Sequence, residues 1–254
     1  MSASVQAKCE LRALTQNEEF QACVELQRRV WGFDESDLVP SRMFLIAHKT
    51  GGQVFGAWDG DRLAGYALGF AGVRDGQIYI HSHMLAVDPA YRDQGLGRRL
   101  KLRQREDALE RRIELLEWTF DPLEIKNAYF NLERLGAIAR RYNPNQYGQS
   151  SSRLQGALPT DRLVAEWWLR SRRAERSLAQ GGAPGFAVEE IVAVPAEIAV
   201  WKAGGDARAV QLQAANRERL QRAFAAGLAA LGYERRADGG GAFRLGRWDE
   251  AWPK

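Results

Sequence analysis

Leu85-Ala-Val-Asp-Pro-Ala-Tyr-Arg-Asp-Gln-Gly-Leu-Gly-Arg98 is the stretch whose reading decides the fold. Ahead of it, Gln77 to Met84 alternates like a strand. After it, Leu96 to Arg112 has no Pro and, beyond Gly97, no Gly, and reads as a helix. At such a strand–turn–helix junction the first helical N–H groups have no intrahelical acceptor. The helix dipole adds positive potential at the same point. The turn therefore suits an anion, most often a phosphate. Gly95 and Gly97 carry no Cβ and let a ligand approach the backbone. A dinucleotide-binding turn needs a third glycine where Leu100 stands, and a Walker loop needs a Gly-Lys-Ser/Thr that is absent. A turn with only a structural role is the remaining alternative.

Arg92-Asp93-Gln94-Gly95-Leu96-Gly97 resembles the Arg/Gln-x-x-Gly-x-Gly/Ala signature of motif A in the GNAT acetyltransferases. Leu85-Ala86-Val87-Asp88-Pro89 resembles the hydrophobic-x-Val-x-Pro that precedes it. The resemblance spans about residues 10–170. It implies an α/β (α+β) fold: a mixed, mostly antiparallel sheet with a splayed centre, flanked by helices. It implies acetyl-CoA as co-substrate and transfer of its acetyl group to an amine, on a small molecule or on a protein N-terminus or lysine. By the same resemblance, Arg92, Asp93, Gln94, Gly95, Leu96, Gly97 and Arg98 grip the pyrophosphate. The strand end Leu85, Ala86 and Val87 hydrogen-bonds the pantetheine arm. The alternative is a non-enzymatic acyl-CoA-binding or regulatory protein on the same scaffold.

With 254 residues, 45% hydrophobic and 27% charged, the composition is that of an ordinary globular chain of one large or two modest domains. No apolar run approaches the ~20 residues that cross a bilayer, which argues against a membrane partner. Met1 to Lys8 lacks the apolar core of a signal peptide. Cys9 and Cys23 form no metal-type spacing, no metal site is expected, and free thiols suit the cytoplasm. The net charge of +4 gathers along Arg98, Arg99, Lys101, Arg103, Arg105, Arg111 and Arg112. That run suits a solvated helix face or attraction of a polyanionic cofactor. No helix-turn-helix, zinc or RNA-binding motif accompanies it, which argues against nucleic acid.

Along the chain, Thr15-Gln-Asn-Glu18 reads as a capping box opening a helix over 17–31, closed by Gly32. A second helix is expected over 40–49. Strands are expected over 53–58 and 63–70, joined by Asp59-Gly-Asp61, with Gly69, Gly72 and Gly76 bounding the next turn and a third strand over 78–87. Ile113 to Phe120 reads as a strand, 125–135 as a helix and 137–142 as a strand, the order of motif B in the same family. The family's tyrosine four residues before the Gly is here Leu132. A strand is expected over 163–169, a helix over 170–179, a linker at Gly181-Gly-Ala-Pro-Gly185 and a strand over 188–194. A helix over 208–231 and a hairpin across Asp238-Gly-Gly-Gly241 complete the tail. The expected organisation is an acetyltransferase domain over 1–180 and a C-terminal α/β extension over 186–254 packed on it. The long helix of the tail is also a candidate homodimer contact.

Acetyl transfer to an amine requires a base, oxyanion stabilisation and a departing thiolate. Glu117 is the leading base candidate. Leu116-Glu117-Trp118 is similar to the Leu-Glu-Val of ribosomal-protein N-terminal acetyltransferases, and a carboxylate in an apolar strand holds its proton more tightly. The competing role is a solvent-facing or Arg-paired carboxylate. His83, with His81 two residues before it, is the second base candidate. Tyr129, Tyr142 and Tyr147 are candidate proton donors to the thiolate, with Tyr129 one turn before the family position. Asn127 and Asn131 are candidate cofactor-contacting amides; a surface or capping role competes.

Overall fold

The computed structural model describes residues 9–152, 155 and 158–248; the opening segment 1–8 and the closing segment 249–254 lie outside the described residues. The chain divides into two compact units, residues 1–116 with 151–154, and residues 117–150 with 155–254.

The first unit runs β1 (Glu10–Ala13), α1 (Asn17–Trp31), α2 (Ser41–Lys49), β2 (Gln53–Asp59), β3 (Arg62–Arg74), β4 (Gln77–Val87), a single 3-10 turn (Pro89–Tyr91) and α3 (Leu96–Glu110). The sequence pointed to Glu18 as the capping acid of α1, but Glu19 does the work. Its carboxylate accepts the Thr15 and Gln16 backbone N–H groups at 2.7 and 3.0 Å. Gly32 at φ 65° closes the helix, as its lack of a Cβ permits. β1 was not legible, being four mostly exposed residues with no apolar alternation.

The strands pair in the order β1-β2-β3-β4, antiparallel at each step. Helices cover both faces of this meander. On one, Phe20, Cys23 and Val24 of α1 meet Phe44 of α2 and Tyr66 and Leu68 of β3. On the other, Leu96 and Leu100 of α3 meet Phe55, Ala57, Ala64 and Ala67. β3 outruns its expected end at Phe70 and reaches Arg74. Gly69 and Gly72 therefore lie within the strand, and the turn is made by Asp75 and Gly76, at φ 48° and 76°. Gly72 serves packing: a Cβ there would stand 2.7 Å from the Tyr79 ring.

β4 holds a bulge. Leu68 pairs with Met84 but Gly69 with Ser82, so His83 has no opposite number. The extra residue inverts the alternation. Ser82 faces α3, donating to Gln104 at 2.8 Å, and beyond the bulge Leu85 and Val87 face α3 as well. Strict alternation from 82 would have aimed those two away. The bulge thus aligns the strand end with the start of α3.

β5 (Leu115–Phe120) starts in the first unit and enters the second at Glu117. The second unit continues through α4 (Ile125–Tyr129), β6 (Ile138–Asn143), β7 (Arg162–Trp168), α5 (Arg172–Gln180), β8 (Glu190–Val194), α6 (Ile198–Ala203), α7 (Ala207–Ala225), β9 (Leu228–Arg235) and β10 (Gly241–Arg247). Its strands run in the order β5-β7-β6-β9-β10-β8. Trp167 is fully buried and meets Trp118 edge-on, 6.1 Å between ring centroids.

Two elements differ from those expected of the sequence. The helix expected over 125–135 is α-helical only to Tyr129, and Phe130–Arg134 forms a π turn. Its marks are Leu135 N–H bonding Phe130 C=O, five residues back, and Arg173 donating to the Leu132 carbonyl. The helix expected over 208–231 stops at Ala225. Gly227 at φ 81° turns the chain, and Leu228 and Leu231 enter β9, which is buried along Leu228–Tyr233. Apolar spacing alone does not separate a buried strand from a helix. The described structure also adds α6, which sequence reading passed over.

Candidate functional site

The turn in the first unit is built by local chemistry. Asp88 opens it, accepting the Ala90 N–H at 3.1 Å and an Arg62 Nη2–H at 3.0 Å. Burial alone would raise the Asp88 carboxyl, but the Ala90 N–H and the Arg62 and Arg29 guanidinium groups outweigh it and hold it below its ordinary value. Arg92 Nε donates to the Val87 carbonyl at 3.4 Å, and Gln94 Nε2 to the Ala90 carbonyl at 3.2 Å. These bonds fold the chain back onto the end of β4. Asp93 at φ 59° and Gly95 at φ 78° then swing it into α3.

Gly95 is the N-cap of α3 and has no side chain to cap with. A Ser or Asp there would satisfy a helical amide itself. The first bond of the helical ladder is Arg99 N–H to the Gly95 carbonyl at 3.1 Å, so the amides of Leu96 and Gly97 precede it. No acidic residue stands in the first turn, and a Cβ built on Gly95 meets nothing within 4 Å. Gly97 is less demanding, since a Cβ there would touch Leu85 at an ordinary 3.5 Å. Leu85, Ala86 and Val87 pair with Ala67, Tyr66 and Gly65, so the β4 end and the turn are one continuous structure.

His83 sits at the β4 bulge. Its ring stands edge-on to Phe70 at 5.6 Å and 6.0 Å from His81. Burial lowers its proton affinity and keeps it neutral near neutrality. Among the described residues no group of three or more metal-ligating side chains occurs.

In the second unit, Glu117 is 2% exposed and ion-paired with Arg141. Its surroundings are thus charged where an apolar lining was expected. The cluster extends to Glu166, also 2% exposed, which pairs with Arg140 at 3.0 Å and Arg141 at 3.1 Å. Sequence reading missed Arg140, Arg141 and Glu166. The visible hints were an Arg-Arg pair in a strand and a lone acid inside Leu163-Val-Ala-Glu-Trp-Trp168.

Asn131 is buried, and its Oδ1 accepts the Trp118 indole N–H at 3.2 Å. Its Nδ2 meets no partner among the described residues. Asn127 is exposed on α4. Tyr129 lies under the Arg235 guanidinium, 5.6 Å from ring centroid. Tyr142 donates to buried Asp161 at 2.6 Å, and burial together with that carboxylate pushes its phenol up, out of reach of titration. Tyr147 is exposed, its hydroxyl 2.8 Å from that of Thr119. Leu132, where the tyrosine of the resembling family stands, is fully buried.

Residues 20–136 match the model of the Acetyltransferase (GNAT) family. No curated protein matches the chain in sequence. Among solved structures, a GNAT-family protein from Desulfovibrio desulfuricans is similar at 16% identity and TM-score 0.51, over 63% of this chain and 99% of its own. The ribosomal-protein-S18-alanine N-acetyltransferase of Escherichia coli aligns at 16% identity and TM-score 0.49, over 64% of this chain and 95% of its own. At 16% identity the likeness to the Desulfovibrio protein is one of fold alone.

Proposed function

We propose, from the match of residues 20–136 to the GNAT acetyltransferase family model, that the chain is an acetyl-CoA-dependent N-acetyltransferase. The observation that carries this is the N-terminus of α3. Gly95 leaves it without a capping side chain, no acid stands in its first turn, and the turn 88–95 joins it to the strand end at Val87. A helix start of this kind favours a phosphate by dipole and by directed N–H donors. Arg92, Gln94 and the Leu96 and Gly97 amides are the groups assigned to the pyrophosphate, and the Leu85–Val87 backbone to the pantetheine arm.

The acceptor is an amine. In the proposed sequence Glu117 takes the ammonium proton, the free amine attacks the thioester carbonyl, and the carbon–sulfur bond breaks; the nitrogen gives up its remaining extra proton and the thiolate gains one, which releases CoA. The resulting amide carries the acetyl group. His83, neutral and half-buried, is the second base assigned, and Tyr129 a proton donor. The catalytic domain is assigned to 1–180 and the extension to 186–254. Pairing of β9 with β6 supports an extension that completes a sheet over one that stands alone.

One observation favours a second reading. Leu stands at 132, where the resembling family has its tyrosine, and that suits a protein that binds acyl-CoA without turning it over. Two measurements separate the readings. Acetyl-CoA and CoA, but not NAD, should raise the melting temperature by mass action. CoA release in the presence of an amine panel should then distinguish enzyme from binder. No response to CoA would remove both.

A further inference from the structure

Neighbouring side chains of a regular strand point to opposite faces. Arg140 and Arg141 do not. The β6–β7 ladder pairs Ala139 with Ala165 but Tyr142 with Leu163, so the two arginines together face the single residue Val164. Inside that bulge both guanidinium groups turn to one acid. Arg140 Nε donates to the two oxygens of Glu166 at 3.2 and 3.1 Å, and its Nη2 lies 3.0 Å from Oε2. Arg141 Nε donates to Glu166 Oε1 at 3.1 Å, while its Nη2 reaches Glu117.

What is left over faces outward. Both carboxylates are 2% exposed, whereas the arginine side chains are 40% and 39% exposed. Arg140 Nη1 and Arg141 Nη1 have no hydrogen-bond acceptor among the described residues. Glu117 and Glu166 stand against the two guanidinium groups, which therefore do not present an unscreened positive patch. The attraction lies in directed donors. An anion meets two guanidinium edges already held by salt bridges behind them. Planar, pre-oriented guanidinium groups suit a carboxylate, which takes two parallel N–H bonds.

We propose that Arg140 and Arg141 form a clamp for a carboxylate on the acceptor, which makes the acceptor an aminocarboxylate. This rests on the assignment of Glu117 as the base. Arg141 joins the two functions within one side chain. Its Nη2 holds Glu117, and its Nη1 is offered to the anion. An acceptor whose carboxylate sits on Nη1 has its amine within a few bonds of the Glu117 carboxylate. An amino acid meets that spacing; a long polyamine or a lysine inside a protein chain does not. A phosphonate offers similar oxygen chemistry in tetrahedral form, and is an arm of the test.

The test uses the full chain with acetyl-CoA and follows CoA release. The acceptors are the twenty amino acids, their amides, and aminomethylphosphonate. The expected result is turnover of at least one amino acid, with kcat/KM ~10-fold or more above its amide. Loss of one hydrogen bond to a charged group has about that effect. In Arg140→Lys, which keeps the charge beside Glu166 but loses the fork, the acid-to-amide ratio should collapse by ~10-fold, carried by KM. Arg140→Gln should collapse it further, and melting curves of both variants report whether the fold survives. Turnover of amides as good as of acids, turnover of no amino acid, or an unchanged ratio in both variants would overturn the clamp. Preference for the phosphonate over every amino acid would overturn the carboxylate. CoA release with neutral amines alone would leave the acetyltransferase reading standing while the clamp falls. Absence of any acetyl-CoA response would take both.

Discussion

Gly95 answers to two demands that substitution can separate. Its φ of 78° penalises any L side chain, by about 1–2 kcal/mol. The space around it is open, so Gly95→Ala adds no clash. We expect Gly95→Ala to lower stability by about 1 kcal/mol, measured by denaturant unfolding, and to keep part of the acetyl-CoA-induced shift in melting temperature. Gly95→Asp places a carboxylate among amides assigned to a phosphate and should abolish that shift. Equal shifts in wild type and Gly95→Asp would remove the turn from CoA binding. Glu117→Gln keeps shape but removes the negative charge beside Arg141. If Glu117 is the base, kcat should fall by ~10²–10⁴, and the deficit should shrink at high pH where free amine already abounds. An unchanged kcat and pH profile would return Glu117 to a structural role. The turn was legible because its chemistry is local, contained between Leu85 and Arg98. The ion-pair cluster around Glu117 was not, because Arg141 and Glu166 arrive from β6 and β7 and depend on a bulge that no alternation pattern announces.

Among elements, the 3-10 turn after β4 carries its own pH dependence. Asp88 is held below its ordinary carboxyl value of 3.8 by the Ala90 N–H, Arg62 and Arg29 acting against burial. A depressed folded-state value means the unfolded chain binds protons first as pH falls. Asp88 therefore contributes stability above pH 3.8 that is lost as pH drops through the lower folded value. Asp88→Asn should cost about 1.5–3 kcal/mol at neutral pH, the range for hydrogen bonds to charged groups. The gap to wild type, followed by urea unfolding, should narrow towards pH 3. A gap that is flat with pH would mean the carboxylate charge is idle. Helices and strands were legible where one signal dominated, as in α1 with its Gly32 stop. They were misread where a buried strand imitated a helix, as after Gly227, and where Arg173 drew the Leu132 carbonyl out of an α-helical turn.

At the scale of the whole molecule, the tail is fastened by charge as well as by strands. Lys202 of α6 is buried and donates to Asp121 and Glu124, each at 2.7 Å. Burial alone would lower the Lys202 proton affinity, and the two carboxylates reverse that and raise it. Lys202→Met strands Asp121, whose side chain is 10% exposed, and should cost about 3 kcal/mol by thermal or denaturant unfolding. A cost below about 0.5 kcal/mol would class the cluster with surface ion pairs. Arg217 of α7 makes a comparable tie, gripping Asp161 with two bonds at 2.8 and 3.0 Å.

The place of β9 beside β6 also sets an order of events in time. Ala139 pairs with Ala230, about 90 residues later in the chain, and at synthesis rates of ~5–20 residues per second that interval is roughly 5–20 s. Once β7 has been made, and until β9 arrives, β6 has β7 on one flank and a bare row of backbone donors and acceptors on the other. A nascent chain is thus most adhesive late in its own synthesis, after its first unit has emerged. Ribosome-bound chains arrested before Leu228 should be cut by protease near β6, and chains released whole should be resistant there. Equal resistance in both would mean that β6 is shielded before its neighbour exists.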